Sequence, residues 1–261
     1  MARDADLGGF GLGLLVLGLG GLGAAYMFLR SRPSGSPREP VSRRPSGQFL
    51  GIDGERVLIF GDSLAHPGAD AGPTITDVTV PAAMASSSAP GAVFAARLLE
   101  GVDTGGQHAQ AVRINARVGR SARSFLLNED SASLLARDKT FSPTKVIVML
   151  GTNDIDRGTG TTALGQTKDA MRQIRDAYRA MGAEVVAIGP PSYQSDRYTQ
   201  GAPAMLAAMR EVFGADRTLD ARPLTVGAGR SGDGVHFTQA GAALAGKQLT
   251  RAVTAQGGAV V

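Results

Sequence analysis

The chain has 261 residues, with 27 Lys and Arg against 23 Asp and Glu, three His and no Cys. That length suits one globular domain with an appendage, and the missing Cys excludes disulfide scaffolds, thiolate metal sites and Cys nucleophiles. The net charge of +4 is localised: residues 30–48 carry +4, residues 1–6 carry −1 and the rest only +1. The basicity therefore belongs to a linker, and no nucleic-acid partner is expected.

In chain order, Leu7 to Leu29 are 23 residues without a charge. As a helix they reach about 34 Å, enough for a hydrocarbon core of about 30 Å. Residues 1–29 are read as a retained membrane anchor, although eight Gly weaken the stretch as a helix. Its rival is a cleaved signal peptide, which would leave the protein secreted; the leader lacks a basic n-region, and only Ala24-Ala25 hints at a cleavage site. The side of the membrane stays open, since the Arg-rich C-terminal flank points to the cytoplasm. Gly18-x-Gly20-x-x-Gly23 matches a dinucleotide-binding pattern, but the Pro- and Ser-rich residues that follow cannot form the required helix. Gly241 to Lys247 imitates a phosphate loop, with Gln248 where Ser or Thr is needed. Residues 30–48 read as a solvated tether, and 49–261 as the folded domain.

Within the domain, β-rich runs at 56–60, 111–115, 145–150 and 184–188, with a shorter one near Thr218–Ala221, predict strands. Helices are expected at 90–100, 131–138, 162–181, 202–213 and 238–253, the third marked by an apolar stripe through Ala170, Met171, Ile174 and Tyr178. This alternation predicts an α/β fold with a parallel sheet covered on both faces. Residues 67–90, rich in Gly, Ala, Ser and Pro, read either as a mobile lid or substrate-facing loop, or as a disordered excursion.

Parallel sheets bind ligands outside the carboxyl ends of their strands. The strands end in Gly61-Asp62-Ser63, Asn115-Ala-Arg-Val-Gly119, Gly151-Thr-Asn153-Asp154 and Gly189-Pro-Pro-Ser-Tyr193, with Asp233-Gly-Val-His236 near the C-terminus. A Ser hydroxyl needs a base, and His is the usual one. His236 has an Asp three residues before it that can hold the imidazole, His66 could cap a turn or contact substrate, and His108 lies in a Gly-rich loop. Asn153 and Gly119 suit oxyanion donors, the first by its side-chain amide and the second by allowing close backbone approach.

These blocks, in this order, resemble the SGNH (GDSL) hydrolase family. The resemblance implies a flavodoxin-like three-layer α/β/α fold and ester hydrolysis through an acyl-enzyme, without cofactor or metal. It implies Ser63 as nucleophile, His236 as general base and Asp233 as its orienting carboxylate. The oxyanion hole would comprise the backbone N–H of Ser63, the backbone N–H of Gly119 and the side chain of Asn153. Asp62 and Asp154 are read as turn-stabilising rather than metal-binding, and Tyr193 and Tyr198 as aromatics able to stack on a sugar or merely to pack.

The expected function is a serine esterase removing a small acyl group, acetyl, from a carbohydrate or cell-envelope polymer. A lipase or lysophospholipase acting on lipid esters is the alternative, followed by an inactive glycan-binding module. A third possibility is that the apolar leader places the chain in a virus particle or multi-subunit assembly.

Overall fold

A computed structural model describes residues 49–255 apart from 69–72 and 80. The expected anchor and tether lie outside the described residues. Among the described residues, no helix is long and apolar enough to cross a membrane.

The strands are β1 (Arg56–Gly61), β2 (Thr74–Asp77), β3 (Ala111–Ala116), β4 (Lys145–Met149), β5 (Glu184–Ile188) and β6 (Thr218–Leu219). They form one sheet in the order β2-β3-β1-β4-β5-β6. Five strands are parallel, as their apolar runs predict. The expectation of a purely parallel sheet needs correction, because β2 pairs antiparallel to β3, Ile75 opposite Asn115. It comes from the 67–90 insertion, where Thr74-Ile-Thr-Asp77 is β-branched enough to extend along the free edge of β3. Asp77 then forks onto Arg113 with bonds of 2.6 and 2.9 Å. That part of the insertion is sheet rather than lid.

The helices are α1 (Pro81–Ala85), α2 (Pro90–Glu100), α3 (Ala122–Asn128), α4 (Ser131–Phe141), α5 (Thr152–Asp156), α6 (Thr161–Ala180), α7 (Asp196–Phe213), α8 (Arg222–Thr225) and α9 (Gln239–Thr254). Alternate residues of β1 supply two cores, since side chains in a strand point to opposite faces. Leu58 and Phe60 pack with α3, α4, α6 and α7; Val57 and Ile59 pack with α2 and α9. Phe60 meets Phe125 edge-on at 4.8 Å and Tyr178 at 5.6 Å between ring centres. The result is a sheet between two helical layers.

Helix α7 begins six residues earlier than the sequence suggests. Pro203 reads as a first-turn residue but lies inside the helix. The upstream turn is held by Thr199, whose N–H and hydroxyl both donate to the Ser195 carbonyl at 2.9 Å.

Among the parallel strands, the chain moves from β1 outward to β3 and then returns to the other side of β1 to form β4. The strand order reverses between β1 and β4, where ligand crevices open in such sheets. Gly61, Ala116 and Met149 are neighbours in register at that edge. The loops that follow them therefore converge.

Candidate active site

Ser63 stands two residues beyond β1 in the turn that caps the strand. Asp62 shapes this turn: its N–H donates to the Met149 carbonyl at 3.3 Å and its Oδ1 accepts from the Leu64 N–H at 2.9 Å. Burial pushes the Asp62 carboxyl up to about 7, against the opposing pull of the Leu64 N–H.

His236 arrives from the other end of the chain, in the loop before α9. Thr238 caps that helix by accepting from the Gly241 N–H at 3.1 Å. The Cβ of any larger residue at 241 would lie 2.0 Å from the Gly229 carbonyl oxygen, so only Gly lets the helix start against this loop. Arg230 braces the same loop, donating to the carbonyls of Val235 (2.8 Å) and Ser192 and lying 3.4 Å over the Phe237 ring.

These supports bring three side chains into line. His236 Nε2 lies 2.9 Å from Ser63 Oγ, and His236 Nδ1 lies 2.5 Å from Asp233 Oδ2. The other carboxylate oxygen, Oδ1, accepts from Ser231 Oγ (2.7 Å), Val235 N–H (2.9 Å) and His236 N–H (2.9 Å). Partial burial raises the Asp233 pKa, but these bonds, led by that from His236, outweigh it and hold the carboxyl well below its ordinary range. Asp233 is thus a fixed anion beside the ring. Ser231 escaped the sequence reading; its signal was a hydroxyl two residues before the Asp, a spacing that permits local bonding.

Asn153 lies in the first turn of α5 and donates from Nδ2 to the Arg120 carbonyl at 3.0 Å. An amide group has two N–H donors, so one remains for a ligand. Gly119 occupies the turn closed by Arg120 N–H donating to the Arg117 carbonyl (3.2 Å), with φ of +75°, a conformation that favours Gly. Gly119 follows β3 and Asn153 follows β4, the two strands that pair with β1. Asp154 does more than shape its own turn: its two oxygens accept from the Ala122 N–H at 3.1 and 3.2 Å, joining the segment after β4 to that after β3. Burial raises its pKa to about 6.

The remaining candidates lie elsewhere. Tyr193 is enclosed, 7% exposed, with its hydroxyl 2.8 Å from Thr152 Oγ1. That corrects its reading as a sugar-stacking ring: behind Pro190 and Pro191 the chain turns inward, so the ring packs in the core and on Tyr198 at 5.2 Å. Tyr198 is half-buried against the same core. His66 is buried and paired with Gly68 and, at 2.8 Å, with Thr74 Oγ1, which fastens the insertion. His108 is exposed. Among the described residues, no group of three or more His, Cys, Asp or Glu could hold a metal ion.

Two spaces lie in this region, and only the second is lined by one of the three aligned side chains, Asp233. One, of about 20 Å³, is lined mainly by apolar residues including Leu64, Met149, Ile188 and Phe237, with Asp62 and Thr152. The other is an open polar depression of about 540 Å³ lined by Gln194, Ser195 and residues 230–234.

Residues 59–244 match the family model described as GDSL-like lipase/acylhydrolase. The chain belongs to the GDSL-like lipase/acylhydrolase family. The matched span runs from the end of β1 into α9 and holds every triad and oxyanion candidate of this family member. No curated protein sequence matches the chain. Among solved structures, the acetylxylan esterase Axe2 from Geobacillus stearothermophilus is 15% identical, with a TM-score of 0.52 over 77% of this chain and 95% of its own. LAE5, an alpha/beta hydrolase enzyme from the metagenome of Lake Arreo, Spain, is also 15% identical, with a TM-score of 0.55 over 80% of this chain and 99% of its own. At that identity the likeness concerns the fold.

Proposed function

We propose that this GDSL-family chain is a serine esterase that removes small acyl groups, acetyl above all, from a carbohydrate or cell-envelope polymer. The observation that carries the reading is the continuous chain from Ser63 Oγ through His236 to Asp233, at 2.9 and 2.5 Å. His236 takes the Ser63 proton as the hydroxyl attacks the ester carbonyl, and Asp233 keeps Nδ1–H toward itself and stabilises the imidazolium. The tetrahedral oxyanion is met by the N–H groups of Ser63 and Gly119 and the free N–H of Asn153. His236 returns the proton to the leaving alcohol; water then enters the same path and releases the acid.

The substrate class has separate support. The polar depression beside Asp233 suits a hydroxyl-rich acceptor. In Axe2, the substitutions described as catalytic fall on a serine, a histidine and an aspartate. Residues 7–29 would hold the domain at a membrane, on the strength of their uncharged run alone.

Rates on nitrophenyl esters from acetate to palmitate test the acyl preference. The expected result is a kcat/KM that falls steeply beyond butyrate; a maximum at long chains would make the enzyme a lipase or lysophospholipase. Release of acetate from an acetylated polysaccharide panel, absent in Ser63→Ala, tests the acceptor.

A further inference from the structure

Among the described residues Arg120 is the largest fully buried side chain, 1% exposed, and it takes no part in the proton transfers above. Removing a guanidinium from water is unfavourable unless every donor finds an acceptor in good geometry. Here the donors are well used. Nε and Nη2 fork onto Glu129 at 3.0 and 2.7 Å, with the Glu129 side chain itself 2% exposed. Nη1 donates to the Gly61 carbonyl (3.2 Å), the Asn115 carbonyl (2.9 Å) and Asn115 Oδ1 (3.0 Å). The guanidinium lies over Phe60 and Phe125, 4.7 and 5.2 Å from the ring centres.

Two of these contacts, at Gly61 and Asn115, sit near the segments that carry the oxyanion candidates. Gly61 is two residues before Ser63, and its carbonyl also accepts the Arg117 N–H at 3.3 Å. Asn115 lies near the end of β3, just before the turn that holds Gly119. Arg120 itself follows Gly119, closes that turn with its own N–H, and offers its carbonyl to the Asn153 amide at 3.0 Å. One residue therefore fixes the approach to all three donors. An apolar side chain could fill the same volume but could not hold two strand-end carbonyls in one plane. Lys brings a point charge without the planar fork.

We infer that Arg120 is a positioning residue of the oxyanion hole, its guanidinium clamping the ends of β1 and β3 so that the three N–H donors converge on one oxygen. The inference rests on the esterase reading. Its contribution belongs to the transition state: a donor misplaced by about 1 Å loses about 10²-fold in rate while ground-state binding is little changed.

The test compares Arg120→Lys and the double variant Arg120→Met/Glu129→Leu with the parent on nitrophenyl acetate. The double variant removes both buried charges together, so no carboxylate is stranded. The expected result is a melting temperature within a few degrees of the parent, kcat down about 10²-fold, KM within about threefold, and a pH–rate profile of unchanged shape. Arg120→Lys, which keeps the charge, should lose at least about 10-fold in kcat and serves alone if the double variant does not fold. A kcat within about threefold of the parent in either folded variant would overturn the inference, as would a loss carried by KM. If instead the parent enzyme hydrolyses neither nitrophenyl acetate nor longer esters, the esterase reading itself fails, a separate outcome.

Discussion

His236 Nε2 stands 2.9 Å from Ser63 Oγ although 173 positions separate the two residues. The hydroxyl is placed by the β1 turn and the imidazole by the loop before α9, so neither local segment makes the pair alone. Ser63→Ala and His236→Ala should each lower kcat/KM for nitrophenyl acetate by about 10⁴-fold or more, with circular dichroism and melting temperature near those of the parent. Ser63→Ala should also lose labelling by a fluorophosphonate probe. Retained labelling would place the nucleophile elsewhere.

Asp233 offers a graded test. Asp233→Asn turns a donor toward His236 Nδ1 and forces the proton to Nε2, so Ser63 no longer faces a base. The expected loss in kcat is about 10⁴-fold. Ser231→Ala removes one of three bonds to Oδ1 and leaves the N–H groups of Val235 and His236 in place. It should cost only about fivefold, the equivalent of about 1 kcal/mol. Equal losses in the two variants would contradict the tautomer argument.

Asn153→Ala deletes the side-chain amide proposed to meet the oxyanion and should lower kcat by about 10²- to 10³-fold with KM nearly constant. Asn153→Asp should be worse, because it sets a negative charge against the developing oxyanion. A pure KM effect would mean that Asn153 binds substrate rather than the transition state.

The buried carboxyls make stability depend on pH in a defined direction. Asp62 and Asp154 are pushed from an ordinary value of 3.8 up to about 7 and about 6. The folded state therefore holds more protons than the unfolded state between about pH 4 and 7, and unfolding free energy falls as pH rises through that window. Asp233 acts oppositely and at lower pH, since its depressed pKa gives stability that is lost on acidification. Asp62→Asn imitates the protonated acid and keeps the acceptor for the Leu64 N–H. Urea titrations at several pH values should show the variant gaining about 2–4 kcal/mol on the parent between pH 4 and 8. Parallel curves would count against a raised Asp62 pKa.

Gly241→Ala should destabilise the fold by about 1–3 kcal/mol, because its Cβ would press on the Gly229 backbone at 2.0 Å, and backbone cannot rotate away. Since Gly229 opens the loop carrying His236, kcat should fall along with the melting temperature. Gly227→Ala, at a Gly with no heavy atom within 4 Å of a built Cβ, is the contrast: strained at φ +77° but free of collision. Full activity in Gly241→Ala would show that the loop moves independently of α9.

Much of this was legible in the chain itself. Val57-Leu-Ile-Phe60 is apolar on both faces, which only a strand buried between two helical layers tolerates, and the alternation of such runs with helices dictates the architecture. Ser63 and Asn153 stand out because polar residues just beyond strand ends have no packing role to explain them, and Asp233 and His236 because a carboxylate and an imidazole share one short loop. Asp233 and His236 are three residues apart, so their pairing needs no long-range information.

Tertiary structure decided the rest. In the 67–90 insertion the β-branched residues are confined to one short run between Gly-, Ala-, Ser- and Pro-rich flanks, and Thr74–Asp77 become β2 because the edge of β3 offers unpaired backbone groups. Tyr193 reads as an exposed loop aromatic until the chain is seen to turn it into the core. Arg120 carries no local mark of burial: a charged residue after a glycine turn is ordinarily solvated, and only Gly61, Asn115 and Glu129, drawn from three separate segments, make its position tolerable. Local pattern reports what a residue can do with its neighbours in sequence; the desolvation of a charge depends on partners that folding alone assembles.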